Sequence, residues 1–131
     1  MEKKRKSKYT HISLAKKAAD HAFSDYIRLR DKYKCITCGK EGDKHNIDAG
    51  HYLRRGYTAI KYDERNVSAQ CTYCNQWLQG AWDVYNEKML EKYGQEVVDE
   101  LMSLRYVECK MSIQDYLEIE RKYREKLREF E

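Results

Sequence analysis

Two Cys-x-x-Cys motifs, CITC at residues 35–38 and CTYC at residues 71–74, constrain this chain more than any other feature. Together they offer four thiolates, the ligand set of a tetrahedral structural zinc site with Zn–S distances of ~2.3 Å. Four cysteines fill the coordination sphere and leave no open position for a substrate. We therefore predict a structural zinc bound by Cys35, Cys38, Cys71 and Cys74. A redox dithiol or a pair of disulfides is the alternative interpretation of the same spacing.

A bound zinc would matter in a chain of this size. The 131 residues suffice for one domain but can bury only a small core. Charged residues make up 37% of the chain, hydrophobic residues make up 41%, and proline is absent, which favours solvated helices over a large sheet. Structural zinc sites contribute apparent binding free energies of ~10–16 kcal/mol, which can decide whether such a domain folds. We expect an α+β fold that is predominantly helical.

The distribution of charge points to a polyanionic partner. The formal net charge is +4, but residues 1–82 hold 17 Lys and Arg against 9 Asp and Glu, whereas residues 83–131 hold 9 against 13. The positive field therefore accompanies the cysteine motifs and attracts nucleic acid. An anionic membrane surface is the weaker alternative, because no basic helix with an apolar face of Trp and Leu stands out.

The cysteine count and the N-terminal residues indicate a reducing compartment. Five cysteines occur in a chain whose first ten residues, MEKKRKSKYT, lack the apolar segment of a signal peptide. No apolar run approaches the ~20 residues that a membrane span needs. We expect a cytoplasmic protein, in a bacterial host cell if the chain is phage-encoded.

Hydrophobic spacing predicts helices at both ends of the chain. Apolar side chains recur every three or four residues over residues 12–32, and again over 82–93, 95–106 and 112–130. Ser112 and Asp115 have the spacing of a capping box at the start of the last helix. The apolar stripe of that helix either packs within the chain or forms a homodimer.

The stretch between the helices has shorter elements. Residues 46–53 predict a strand, residues 54–66 a loop or second strand, and residues 71–79 the start of a helix.

Three motifs in this stretch carry a resemblance to a known family: DAGHYLRRG at 48–56, RNVSAQC at 65–71 and CTYCN at 71–75. They resemble the lambda-phage NinG/Rap recombination endonucleases of the HNH (His-Me finger, ββα-metal) superfamily. The resemblance is most specific over residues 35–80. Together with the charge and the hydrophobic spacing, the resemblance predicts a single domain with four parts. They are a basic tail at 1–10, an N-terminal helix at 11–32, a zinc-bound HNH nuclease core at 33–80 and a helical extension at 81–131.

The resemblance assigns a role to each of three polar residues. His51 is expected to be the general base, since a neutral imidazole can take a proton from water near pH 7. Asn66 would precede the helix of the core and orient the histidine by hydrogen bonding. Asn75 would be a ligand of the catalytic metal, because its amide oxygen suits a hard ion such as Mg²⁺ or Mn²⁺.

One position departs from the superfamily pattern. Many members have an Asp or His metal ligand directly before the catalytic histidine, but here that position is Gly50. Asp48 lies on the same strand face, ~6.6 Å away along the strand, and a bulge at Ala49–Gly50 could bring it into place. We predict Asp48 as the second ligand, with Asp63 or a shell of water as the alternatives.

Basic residues surround the histidine and alternate with tyrosines. Arginine binds phosphates with two parallel hydrogen bonds, and tyrosine stacks on unpaired bases. Solvated loop charges and tyrosines packed in a small core are the alternative interpretation. The predicted DNA contacts are Arg54, Arg55, Lys61 and Arg65.

The sequence thus predicts a metal-dependent DNA endonuclease with a structural zinc. Resemblance to the NinG/Rap family implies branched substrates such as Holliday junctions and D-loops. A homodimer through the C-terminal helices would suit paired cuts across a junction. Two alternatives remain, namely a non-catalytic zinc-ribbon DNA-binding protein and an HNH nuclease without branch specificity.

Overall fold

The structure, a computed structural model, describes residues 11–130, so the predicted basic tail at 1–10 lies outside the described residues. The order of elements confirms a mixed α+β fold that is mostly helical. The elements are helix α1 (Ile12–Arg30), strands β1 (Ile47–His51) and β2 (Val67–Cys71), and helices α2 (Trp82–Tyr93), α3 (Gln95–Leu104) and α4 (Ile113–Arg128).

The described chain divides into two compact units. Residues 11–26 with 110–130 form one unit, and residues 27–109 form the other. All four paired cysteines and every predicted site residue lie in the second unit, which is therefore the unit that bears on function.

In the first unit, helix α4 packs its apolar stripe against α1. The ring of Tyr123, which is 1% exposed, lies 4.8 Å from that of Phe23 and 5.2 Å from that of Tyr26. Helix α4 begins with the predicted capping box, in which Ser112 and Asp115 bond each other's backbone NH groups. The stripe is thus used within the chain, and the homodimer stays a prediction.

In the second unit, β1 and β2 form a two-stranded antiparallel sheet. Ile47 pairs with Cys71 and His51 with Val67, and the register runs through without a bulge. Residues 54–66, for which a second strand was one expectation, form a loop with a single 3-10 turn at Thr58–Ile60. The second strand comes later, at Val67–Cys71.

The helix expected to begin at residues 71–79 is only one turn long, Tyr73–Trp77. It stops because three successive residues adopt left-handed φ angles: Gln79 (+50°), Gly80 (+91°) and Ala81 (+47°). The chain reverses there and begins α2 at Trp82. Left-handed backbone at non-glycine residues is strained and persists only where surrounding contacts impose it.

Helices α2 and α3 cover the loop between the strands. One cluster of buried residues takes members from the loop and from both helices. Hydrophobic burial of these side chains holds the loop in one conformation. The cluster comprises Tyr52, Leu53, Ile60, Tyr85, Met89, Val98 and Leu101.

The outer edge of β2 is closed by two side chains at the end of α1. Arg30 donates to the carbonyl oxygen of Val67 at 2.7 Å, and Asp31 accepts from the backbone NH of Ala69 at 2.8 Å. The two side chains also bond each other, Arg30 Nε to Asp31 Oδ1, at 2.8 Å. They satisfy backbone groups that an open edge would expose to another chain. No helix within residues 11–130 is long and apolar enough to cross a membrane.

Candidate active site and metal centre

The first cysteine pair lies on a tight turn that is bonded to the sheet. Cys35 donates its NH to the carbonyl oxygen of Lys40 at 2.8 Å, which closes the turn. Ile36 donates its NH to the carbonyl oxygen of Ala69 at 2.9 Å, which attaches the turn to β2. Since β2 ends at Cys71, these bonds bring the two cysteine pairs together.

The four sulfurs have the spacing of a zinc site. All four lie within 4.8 Å of one another, and the Sγ atoms of Cys38 and Cys71 are 3.7 Å apart. Sulfurs ~2.3 Å from a common zinc ion would lie about 3.8 Å apart at the corners of a tetrahedron. None of the five cysteines, all of which lie within residues 11–130, is in a disulfide. The predicted cluster therefore forms, and it could bind a metal such as zinc.

Backbone NH groups point at the sulfurs, as a thiolate site requires. Cys38 NH approaches Cys35 Sγ at 3.5 Å, and Cys74 NH approaches Cys71 Sγ at 3.4 Å. Burial raises the pKa of Cys35, but hydrogen bonds from the Thr37 hydroxyl and from nearby NH groups outweigh it and lower that pKa to about 6. Burial and neighbouring sulfurs raise the pKa of Cys74 to about 12. Thiolates this close repel one another, and a divalent cation among them offsets that repulsion.

His51 ends β1 and is oriented by the loop that follows. Its Nε2 lies 2.9 Å from the carbonyl oxygen of Lys61. A carbonyl oxygen can only accept, so Nε2 carries the proton, and the neutral ring has its lone pair on Nδ1. This is the tautomer in which Nδ1 can act as a base.

Asn66 holds that loop in place and does not bond the histidine directly. It is fully buried, and its Oδ1 accepts from Leu53 NH at 2.9 Å. Its Nδ2 donates to the carbonyl oxygens of Leu53 at 2.9 Å and Ile60 at 3.2 Å. Ile60 directly precedes Lys61, so Asn66 positions the carbonyl group that orients His51. The predicted effect on orientation is thus indirect, transmitted through the loop backbone.

Asp48 and Asn75, the predicted ligands of a catalytic metal, lie side by side. Nδ2 of Asn75 donates to Asp48 Oδ2 at 3.1 Å, and Gln76 donates to the same oxygen at 3.3 Å. Because Nδ2 of Asn75 faces Asp48, its Oδ1 points away from that carboxylate. A carboxylate and an amide oxygen are ligands that Mg²⁺ accepts while it keeps several waters. Asp63, the alternative, is engaged by Arg65 at 2.8 Å instead.

The structure explains the glycine at position 50. A Cβ built there would lie 2.2 Å from Oε1 of Gln70 and 2.8 Å from its Cβ. Gln70 is fully buried, and its Nε2 bonds the carbonyl oxygen of Gly80 at 2.7 Å. Gln70 thus occupies the space that an Asp or His ligand at residue 50 would need. The register of β1 is regular, so no bulge moves Asp48. Asp48 lies beside Asn75 because Asn75 and Gln76, in the helical turn after β2, both bond its carboxylate.

One open cavity of about 440 Å³ brings four predicted site residues together. His51, Asn75, Arg54 and Arg55 all line it, and both arginines are exposed. A cavity with an imidazole, an amide and two guanidinium groups has the chemistry to hold and attack a phosphodiester.

Lys61 and Arg65, the other two predicted DNA contacts, lie outside this cavity. Lys61 is only 4% exposed, and its backbone carbonyl oxygen accepts the hydrogen bond from His51 Nε2. Arg65 bonds Asp63 and Glu100, which raise its pKa further. Their contacts with DNA stay predictions, and the function proposed below does not depend on them.

The sequence interpretation missed two buried residues, Tyr85 and Gln70, that contact Gly50, directly before the candidate base His51. Tyr85, 1% exposed, donates its hydroxyl to the carbonyl oxygen of Gly50 at 2.7 Å, and burial raises its pKa. The Gln70 side chain fills the space that a side chain at residue 50 would need. Tyr85 was predicted only as part of a helical stripe, and Gln70 lies in a short strand in which every residue is buried. The complete burial that distinguishes Gln70 is known only from the structure, so the sequence carried no signal for it.

Relatives of this chain are phage proteins. It is 34% identical over 115 residues to protein ninG of Escherichia phage 933W, a match that covers 86% of this chain and 56% of the relative. It is 33% identical over 115 residues to protein ninG of Escherichia phage lambda, covering 86% and 55%. For protein ninG of Salmonella phage P22 the identity is 37% over 89 residues, covering 66% and 43%. The chain thus spans about half the length of the curated relatives it matches.

Comparison with solved structures finds no match. The family model described as "Bacteriophage Lambda NinG protein" matches residues 1–131, the whole of the sequence. The chain therefore belongs to the NinG family.

Proposed function

We propose that this protein is a metal-dependent DNA endonuclease of the HNH type that acts on branched DNA. The observation that carries the proposal is the cavity shared by His51, Asn75, Arg54 and Arg55. These residues come from a strand end, a loop and a helical turn, so only the fold brings them together. Their chemistry suits hydrolysis of a phosphodiester bond.

His51 acts as the general base. With its proton on Nε2, held by the Lys61 carbonyl oxygen at 2.9 Å, the ring accepts a proton at Nδ1. In the proposed step, Nδ1 removes a proton from a water whose oxygen attacks the phosphorus in line. The bond from phosphorus to the 3′ oxygen breaks, and that oxygen takes a proton from solvent. The products carry a 5′ phosphate and a 3′ hydroxyl.

Asn75 would hold the catalytic cation, with Asp48 beside it. The hydrogen bond from Asn75 Nδ2 to Asp48 Oδ2 turns the amide so that its oxygen is the arm available to a cation. Two oxygen donors with water in the remaining positions fit Mg²⁺ or Mn²⁺. Such an ion, when bound, stabilises charge on the phosphorane and on the departing oxygen.

Arg54 and Arg55 supply the attraction for the DNA strand. Both are exposed at the cavity that contains His51. Paired arginines can bind the phosphates on either side of the attacked one. The preference for branched substrates such as Holliday junctions and D-loops follows from the resemblance to recombination endonucleases.

The test is cleavage of a four-way junction and of a linear duplex with the same sequence, with Mg²⁺ or Mn²⁺ added. We expect metal-dependent cuts that leave 5′ phosphates, and faster cleavage of the junction. His51→Ala should lose at least about 100-fold in rate, the low end for loss of a general base. His45→Ala is the matched control, because His45 is an exposed loop histidine that does not line the cavity.

The outcomes separate the alternatives. Undiminished cleavage by the His51→Ala protein would refute the assignment of the base. DNA binding without cleavage by the unaltered protein would favour a zinc-ribbon binding protein. Equal rates on junction and duplex would leave a nuclease but remove branch specificity.

A further inference from the structure

A second cavity, of about 340 Å³, opens beside the proposed active site. It shares His51, Arg54, Gln79 and Gly80 with the first cavity, and most of its other lining residues are aromatic or basic. Tyr52, Tyr57, Trp82 and Arg105 are among its lining residues. The HNH chemistry proposed above makes no use of these four side chains.

The aromatic wall of this cavity is held in place before any ligand arrives. The indole of Trp82 stacks on the ring of Tyr52, with centroids 5.6 Å apart and planes 10° from parallel. Tyr52 is only 2% exposed, bonds Asn86 through its hydroxyl and packs on Tyr85 at 5.4 Å. Trp82 nevertheless remains 46% exposed. One face of the indole is therefore supported by a rigid partner while much of the side chain stays open to solvent.

Positive charge lines the same cavity. The guanidinium of Arg54 lies 4.8 Å from the Tyr57 ring centroid. Nε of Arg105 is buried, and no hydrogen-bond partner for it occurs within residues 11–130. Aromatic faces combined with arginines form the surface on which unpaired nucleic-acid bases stack.

We propose that this cavity receives one unpaired DNA base, which stacks on Trp82 while the adjoining phosphate lies at His51. The inference rests on the proposed function, because it places the base next to the phosphate to be cut. In a continuous duplex both faces of each base are covered by neighbouring bases. A branch point offers bases that can leave the stack at low cost, so stacking on Trp82 gives a physical reason for branch preference.

The strained turn before α2 sets the position of Trp82. Gln79, Gly80 and Ala81 have left-handed φ angles, and Gln70 bonds the Gly80 carbonyl oxygen at 2.7 Å. Trp82 follows directly. The same turn contains Gln79 and Gly80, which line both cavities. The base site and the proposed cutting site are therefore built on one short segment.

The chain has two tryptophans, and the second provides the control. Trp77 is 79% exposed, lies only five residues earlier and does not line the cavity. Binding is measured without added divalent metal, so the result does not depend on cleavage. The probes are a four-way junction and a linear duplex of the same sequence, together with the unaltered protein, Trp82→Ala, Trp82→Phe and Trp77→Ala.

We expect Trp82→Ala to weaken junction binding about 5- to 150-fold, because stacking of one base on an aromatic side chain contributes ~1–3 kcal/mol. Trp82→Phe should recover part of that loss, and Trp77→Ala should bind as the unaltered protein does. Circular dichroism and thermal melting identify a variant that has merely lost its fold. For such a variant, fluorescence of the Trp77→Phe protein, whose only tryptophan is Trp82, replaces the affinity measurement. Its emission should be quenched by the junction more than by the duplex.

Several results would overturn the inference. These are unchanged junction binding by a folded Trp82→Ala protein, an equal loss for Trp77→Ala, or equal quenching by junction and duplex. If instead the binding and fluorescence results hold while no condition yields cleavage, the base site stands and the endonuclease proposal fails.

Discussion

Asn66→Ala tests whether a buried asparagine controls both stability and the orientation of His51. The substitution removes three side-chain hydrogen bonds, one from Leu53 NH and two to the carbonyl oxygens of Leu53 and Ile60. The NH and the carbonyl oxygen of Leu53 lose their partner, at a cost of ~1–3 kcal/mol each. The Ile60 carbonyl oxygen still accepts from Asp63 NH at 3.2 Å, so it loses one bond worth ~1 kcal/mol, and the three changes sum to roughly 3–7 kcal/mol. A water that enters the vacated space would satisfy some of them, so we expect a loss of about 3–5 kcal/mol.

This loss should be visible in a melting experiment. In a domain of about this size, each 1 kcal/mol lost from the free energy of unfolding lowers Tm by about 4 °C. The Tm of Asn66→Ala should therefore fall by at least about 10 °C. Cleavage assayed well below that Tm should also be slower, because the Lys61 carbonyl that holds His51 belongs to the released loop. Asn66→Asp should not rescue either property, since a carboxylate would face two carbonyl oxygens where Nδ2 now donates.

Asn46 offers the matched control. Its Oδ1 accepts one hydrogen bond, from the backbone NH of Asp43 at 2.7 Å, in an exposed loop turn. Asn46→Ala should cost only about 1 kcal/mol and leave cleavage unchanged. A Tm for Asn66→Ala within 2–3 °C of the unaltered protein, or unchanged cleavage, would refute the argument.

Two further predictions follow from the metal centre and from Gly50. The purified protein should contain one zinc per chain. Cys38→Ala should lose that zinc and unfold, because zinc binding worth ~10–16 kcal/mol exceeds the ~5–15 kcal/mol stability of an ordinary domain. Cys109→Ala is the control and should retain the zinc, as measured by elemental analysis. A Cys38→Ala protein that is free of zinc but folded would contradict this prediction. Gly50→Ala should destabilise the protein by about 1–3 kcal/mol through its clash with Gln70, measured by urea unfolding, and an unchanged unfolding midpoint would show that Gln70 can move aside.

Local patterns predicted the parts of this protein that depend on near neighbours. The ligand spacing of the two cysteine pairs predicted a cluster that the fold brings within 4.8 Å. Ser112 and Asp115 predicted a capping box that forms. The capping box and each cysteine pair join groups three residues apart, which the local backbone brings within reach, whereas the meeting of the two cysteine pairs depends on the bond between Ile36 and β2.

Distant contacts decided two features that local preference does not specify. A helix begins near the second cysteine pair as predicted, but it lasts one turn because residues 79–81 adopt left-handed angles, at a turn whose Gly80 carbonyl oxygen is bonded by Gln70. Lys61 has the charge of a surface residue, yet it is 4% exposed because Asn66 holds the loop against the core. Neither effect leaves a periodic trace in the sequence.

By itself, the sequence determined the two cysteine pairs, the mostly helical class and the set of residues whose chemistry suits proton transfer or metal binding, since these depend on residue type and short spacing. Only the tertiary structure decided which of those residues meet. It placed His51 and Asn75 at one cavity, left Lys61 and Arg65 outside it, and filled the position above Gly50 with Gln70. The physical reason is that a site between a strand end, a loop and a turn depends on long-range packing, which fixes distances that spacing along the chain does not specify.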